Sequence, residues 1–176
     1  MADLEQLTAR LDRVVSELAI RRLAHEYCHG ADKQDIARWA GVWSEDAVWA
    51  LGHGQDAVGL AAICDAVRGQ WGAFRQMHHW TANLVVEIDG DSATGEADVD
   101  ISVELADGVW VRGGATYRDR YVRRDGAWKI IRREPGSDFY YAPLPPGVGG
   151  DPLPPSVGPP PRTPTETDGY GASLGG

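Results

Sequence analysis

Three Asp-Gly pairs divide the second half of the chain into runs of alternating residues. They lie in "DGD" (89–91), "ADG" (106–108) and "RDG" (124–126). Asp-Gly between alternating runs is the strongest short-range hairpin signal, because both residues tolerate the positive φ that a tight turn needs. Residues 77–141 therefore read as four long strands. In the second, Val99, Ile101, Val103 and Leu105 alternate with Asp98, Asp100 and Glu104. One face is apolar and the other polar, as in an antiparallel sheet covered on one side.

The cover has to come from the first half, where the period changes. Leu4, Leu7, Leu11, Val14 and Leu18 recur at spacings of three and four, a helical stripe. The stripe then shifts phase to Ile20, Leu23, Ala24, Tyr27 and Cys28. One helix, or two in line, is expected from about residue 3 to about 30. Its first half is free to lie on a partner subunit, and its second half faces the core. Residues 34–43 read as a short helix, "AVWALG" (47–52) as a short strand and "LAAICDAVRGQW" (60–71) as a third helix.

Helices followed by a meander of strands predict an α+β domain. The expected form is a cone-shaped, strongly curved, mostly antiparallel sheet wrapped around the N-terminal helices, with a pocket at its mouth. The predicted domain covers 1–141. Residues 142–176 hold ten of the eleven prolines and eight glycines. Too little apolar area is available there to offset the entropy of ordering, so a flexible tail is expected.

Charge and composition exclude several classes. A net charge of −9 does not supply the basic field that nucleic acid requires. No apolar run approaches the length of a membrane span, and the N-terminus lacks a signal-peptide pattern. Two cysteines make no disulfide framework. A cytosolic protein is the simplest expectation. Seven Trp and six Tyr suit the lining of a pocket for an apolar or aromatic small molecule.

Several residues have the chemistry for such a pocket. Tyr27 is in phase with Ile20, Leu23 and Ala24. Asp32 follows Cys28 by four residues and shares its face if the helix continues. His25 and His29 have the i, i+4 spacing of metal ligands, but they lie off the apolar stripe with no third ligand signalled, so a solvated face is expected and no metal. In "QMHHWTANL" (76–84) strict alternation groups His78 with Trp80, Leu84, Val86 and Ile88, which favours His78 as the inward residue. A β-bulge before Leu84 reverses that choice in favour of His79. On the last strand Arg132 alternates in phase with Trp128 and Ile130. Asp119 shares a face with Val111, Ala115, Tyr117 and Tyr121, a second candidate for a buried carboxylate.

Three segments carry a resemblance: "AIRRLAHEYCHGADKQDIARWAGVWSEDAVW" (19–49), "MHHWTANLVVEIDGDSATGEADV" (77–99) and "YRDRYVRRDGAWKIIRRE" (117–134). Together they resemble the SnoaL-like branch of the nuclear transport factor 2-like superfamily. The pattern looks most like that of scytalone dehydratase, bile-acid 7α-dehydratase and hexachlorocyclohexane dehydrochlorinase. The resemblance implies an aspartate–histidine dyad at Asp32 and His79, and therefore the bulge. It also implies a phenol donor at Tyr27 and a pocket arginine at Arg132, with Arg133 the fallback. Where some dehydratases have a second pocket tyrosine, this chain offers Trp49.

The expected activity is a cofactor-free elimination on a hydrophobic, ring-containing substrate. His78, Trp80, Tyr117 and Asp119, with Trp49 and Arg132, are the expected contacts to it. Three rivals remain open. One is an isomerase or cyclase in which Asp32 or Asp119 moves the proton; another is a non-catalytic binding or assembly module; the third is a metal-dependent enzyme built on His25, His29, His78 or His79. A homo-oligomer, dimer or trimer, is expected because an open curved sheet with a polar-aromatic face usually finds a partner.

Overall fold

The computed structural model describes residues 2–51, 54–136 and 140–143. The expected tail lies outside them from residue 144 onward; its first two residues close a short strand. Helix α1 runs unbroken over Ala2–Asp32, with Asp3 and Glu5 in its first turn, where the helix dipole favours negative charge. Residues 3–15 are exposed all round, and burial begins at Ser16. From there Ile20, Ala24, Tyr27, Cys28 and Ala31 enter the core.

Helix α2 (Ile36–Gly41) is capped by Asp35, whose carboxylate accepts the Arg38 N–H at 3.0 Å. It crosses α1 at Gly30. A Cβ there would lie 2.7 Å from the Trp39 backbone nitrogen, so only glycine lets Trp39 reach the core. Strands β1 (Trp43–Trp49) and β2 (Ala57–Val58), helix α3 (Leu60–Ala73) and strands β3 (Phe74–Trp80), β4 (Val85–Asp89), β5 (Ser92–Leu105), β6 (Trp110–Arg124), β7 (Ala127–Pro135) and β8 (Tyr140–Pro143) complete the order.

The sheet runs β2-β1-β7-β6-β5-β3, with β4 also on β5 and β8 also on β6. Only the β1–β7 pairing is parallel; the others are antiparallel. The sheet curls as a half-barrel around the helices, the expected α+β form. The "RDG" turn uses positive φ at both Asp125 and Gly126, as a two-residue hairpin demands.

Two one-residue insertions control what faces inward. Trp80 pairs with Asp100 and Val85 with Glu96. Five steps on one side (80 to 85) thus span four on the other (100 to 96). The expected first long strand is therefore two, β3 and β4. Across the break, side chains replace ladder bonds: Thr81 donates to the Asp98 carbonyl at 2.9 Å, and Asn83 Oδ1 accepts the Asp98 N–H at 3.0 Å. Likewise Arg120 pairs with Arg132 but Tyr121 with Ile130. One step on β6 spans two on β7, which leaves Ile131 extra. A single inserted residue moves every later side chain to the other face.

Candidate active site

Asp32 is the last residue of α1. A carboxylate is unfavourable at a helix C-terminus unless donors meet it. Here two do. The His79 backbone N–H donates to Oδ2 at 2.9 Å, and His79 Nδ1 lies 2.5 Å from Oδ1. The helix end is itself pinned by the Trp71 indole, which donates to the Ala31 carbonyl at 2.8 Å. The Asp32 side chain is 13% exposed and that of His79 is 8% exposed. A recess of about 200 Å³ opens beside Asp32, lined also by Lys33, Gln34, Arg75, Gln76 and the apolar Trp71, Phe74 and Met77; His79 does not line it.

The β3–β4 break decides which histidine turns inward. Met77 and His79 share the inner face of β3, while Leu84, Val86 and Ile88 take it after the inserted residue. The inward His78 that simple alternation favours is not found. Its side chain is 62% exposed, with Nδ1 3.6 Å from Asp32 Oδ2. Trp80, expected at the pocket, follows His78 to the outer face and is 67% exposed.

The second insertion acts on the arginines. Arg132 does not share the inner face with Trp128 and Ile130, because Ile131 intervenes. It pairs with Glu134 and borders the recesses of the outer face, which contain neither Asp32 nor His79. Arg133, the fallback, is the buried arginine, 1% exposed. Asp119 holds it from both sides, accepting from Nε at 2.9 Å and from Nη2 at 2.7 Å. The Tyr121 hydroxyl donates to the same carboxylate at 2.7 Å. Burial opposes the Arg133 charge. The Asp119 carboxylate, with the phenols around it, outweighs that and raises the guanidinium pKa well above its usual value.

Tyr27 lies between the basic partners of the two acids, His79 and Arg133. Its ring lies edge-on to His79, with centroids 6.0 Å apart, and the Arg133 guanidinium sits 4.0 Å above it. Arg133 lies 4.3 Å from the Tyr117 ring as well. Burial pushes the Tyr27 hydroxyl up to about 12, although the Arg133 charge and a hydrogen bond from Tyr117 pull the other way. Tyr27 therefore keeps its proton at neutral pH. Tyr117 is also raised well above its usual value, first by burial and then by Tyr27.

An aromatic wall closes the interior. Trp49 packs on Trp39 and Trp43 at 5.2 and 6.0 Å, and Tyr27 on Trp39 at 4.5 Å. The sequence reading missed Trp39 and Trp43; three tryptophans within residues 39–49 were the available signal. Among the described residues, Arg133 Nη1 and the indole nitrogens of Trp39, Trp43 and Trp49 have no hydrogen-bond partner. His25 and His29 are exposed, and no three of His, Cys, Asp and Glu gather as metal ligands among the described residues.

A curled sheet closed by helices, holding an aspartate–histidine pair and a buried arginine against aromatic rings, makes an α+β half-barrel domain. The sequence model of the SnoaL-like domain matches residues 12–134, and the chain belongs to that family. It is 32% identical over 146 residues to the gamma-hexachlorocyclohexane dehydrochlorinase of Sphingobium indicum, covering 78% of this chain and 93% of that one. A crystal structure of the dehydrochlorinase LinA superposes with a TM-score of 0.73 at 30% identity, over 78% of this chain and 95% of the other. LinA-type3 from Novosphingobium barchaimii gives the same score and coverage at 29% identity. No helix among the described residues is long and apolar enough to cross a membrane.

Proposed function

We propose that the protein is a lyase that eliminates a proton and a leaving group from a hydrophobic, ring-containing molecule without a cofactor, using Asp32 and His79 as a dyad. The observation that carries this reading is the double contact of Asp32 with His79, through the ring at 2.5 Å and the backbone at 2.9 Å. An aspartate bound to Nδ1 fixes the tautomer with its lone pair on Nε2. Among the described residues nothing else engages Nε2. That nitrogen takes the proton from a ring carbon. The C–H electrons become the new C=C bond, and the bond to the leaving group breaks with its electron pair. Asp32 stabilises the imidazolium so formed.

The leaving group departs as an anion. Arg133 Nη1 is an unused donor beside the Tyr27 phenol, which supports a role for both in receiving that charge. Chloride needs only this stabilisation. A departing hydroxyl takes a proton from Tyr27 and leaves as water. The likeness to the dehydrochlorinases supports polychlorinated cyclohexanes as the first substrates to try. Trp39, Trp43 and Trp49, packed on one another behind Tyr27, back the site with an apolar cluster.

The isomerase reading with Asp119 as the proton carrier is disfavoured, because both oxygens of that carboxylate are occupied by Arg133 and Tyr121. The test is chloride release from gamma-hexachlorocyclohexane, and dehydration of hydroxylated cyclic ketones, by wild type and His79→Ala. Activity that vanishes in the variant while its far-ultraviolet circular dichroism is unchanged supports the dyad. Turnover of the same substrate by His79→Ala at the wild-type rate would remove it.

A further inference from the structure

The first four turns of α1 make no use of their apolar stripe within the chain. Leu4, Leu7, Leu11, Val14 and Leu18 are each more than half exposed. Their spacings are 3, 4, 3 and 4, the first and fourth positions of two consecutive heptads and the first of a third. The domain touches this segment from the opposite side. Arg123 Nη1 donates to Asp12 at 2.7 Å and to Ser16 at 3.3 Å, and Arg13 lies 4.0 Å from Glu87. The stripe therefore points away from the body. An isolated helix this short is marginal in water. This one grows from a half already packed in the core, so its nucleation cost is met and its stripe is presented ready-formed.

We propose that the stripe is an antiparallel helix-pairing surface for a second copy of this chain. The charges beside it select that occupant and that direction. Let Leu7 face Leu18 of the partner subunit and Leu11 face Val14 of the partner subunit. First positions then meet fourth positions over residues 7–18, as antiparallel helices require, while Leu4 falls level with Arg21 of the partner subunit. In that register Arg10 falls beside Glu17 of the partner subunit, twice by symmetry; within one chain Glu17 Oε1 already accepts from Arg21 at 2.8 and 3.1 Å, so Arg10 would join that pair through Oε2. Among the described residues Arg10 has no partner in its own chain. A parallel pair would set Arg10 against Val15 of the partner subunit and leave the charge unanswered. A membrane surface fits less well. Residues 2–18 carry four acids (Asp3, Glu5, Asp12, Glu17) and only two arginines, a balance that anionic lipid repels.

The experiment is sedimentation equilibrium of the full chain. Leu7→Ser with Leu11→Ser should halve the mass of the assembly at micromolar concentration, with helical circular dichroism kept. Arg10→Glu alone should weaken association roughly ten-fold, since two flanking pairs turn repulsive. Adding Glu17→Arg should restore it, which a purely structural role for either residue does not predict. An unchanged mass in the serine variant, or no rescue by the charge swap, overturns the proposal. So does co-sedimentation of wild type with phosphatidylglycerol vesicles that the serine variant loses.

Discussion

Asp32 and Asp119 sit in one domain as two carboxylates, each facing a basic side chain, yet their surroundings differ in kind. Asp119 is sealed, its side chain fully buried and both oxygens taken by Arg133 and Tyr121. Asp32 is at the rim, and its partner is an imidazole with one nitrogen unengaged. Saturating a buried acid turns it into a fixed charge that positions its arginine. Leaving one site open on the partner keeps proton exchange possible. Each basic partner has one open position, and its kind separates the two: a nitrogen lone pair on His79, able to take a proton, against an N–H donor on Arg133 Nη1, which is not.

Substituting each aspartate tests that contrast most directly. Asp32→Asn should cut turnover roughly 10²–10⁴-fold and leave the urea midpoint nearly unmoved. Asp119→Asn should do the reverse in stability, costing about 3–5 kcal/mol by urea unfolding, because it strands the Arg133 charge in the interior. Equal behaviour of the two variants would break the comparison. Tyr27→Phe should lower turnover about 10²-fold, the usual cost of losing one donor to a developing anion, read as kcat with KM little changed.

A pH titration of stability probes the phenols. Tyr27 has a folded pKa of about 12 against about 10 in the unfolded chain. At pH 11 the folded state therefore holds more protons than the unfolded one. Stability should be level through neutral pH and fall above pH 10, by about 1.4 kcal/mol per unit for this residue. Cys28, pushed to about 11 by burial, adds the same sign from about pH 9. The slope above pH 10 should shrink in Tyr27→Phe. The smallest effect expected is that of Trp71→Phe. It removes the bond that pins the end of α1 and should cost about 1 kcal/mol in thermal unfolding.

Much of this architecture is written locally. Turns at Asp-Gly, the long amphipathic helix and the alternation of β5 all follow from near neighbours, and each appears where its pattern places it. The interior face of β3 and β7 does not follow in this way. Alternation chose His78 and Arg132, and each choice failed for the same reason: one uncounted residue in the pairing. A bulge is decided by the partner strand and by side chains such as Thr81 and Asn83 that complete its ladder, and these are tertiary facts. The aromatic wall was half legible. Trp49 stood in an apolar strand, while the inward turn of Trp39 depends on the missing side chain of Gly30, nine residues away and in another helix.

The two insertions carry a consequence for tolerance to error. Each falls near a doublet, His78–His79 and Arg132–Arg133. Slip either strand by one residue in the direction that brings the earlier member of the doublet into place, and the interior still receives a histidine or an arginine. The spelling at these positions is redundant, so the kind of group offered to the interior survives a misalignment that would change it almost anywhere else along the sheet.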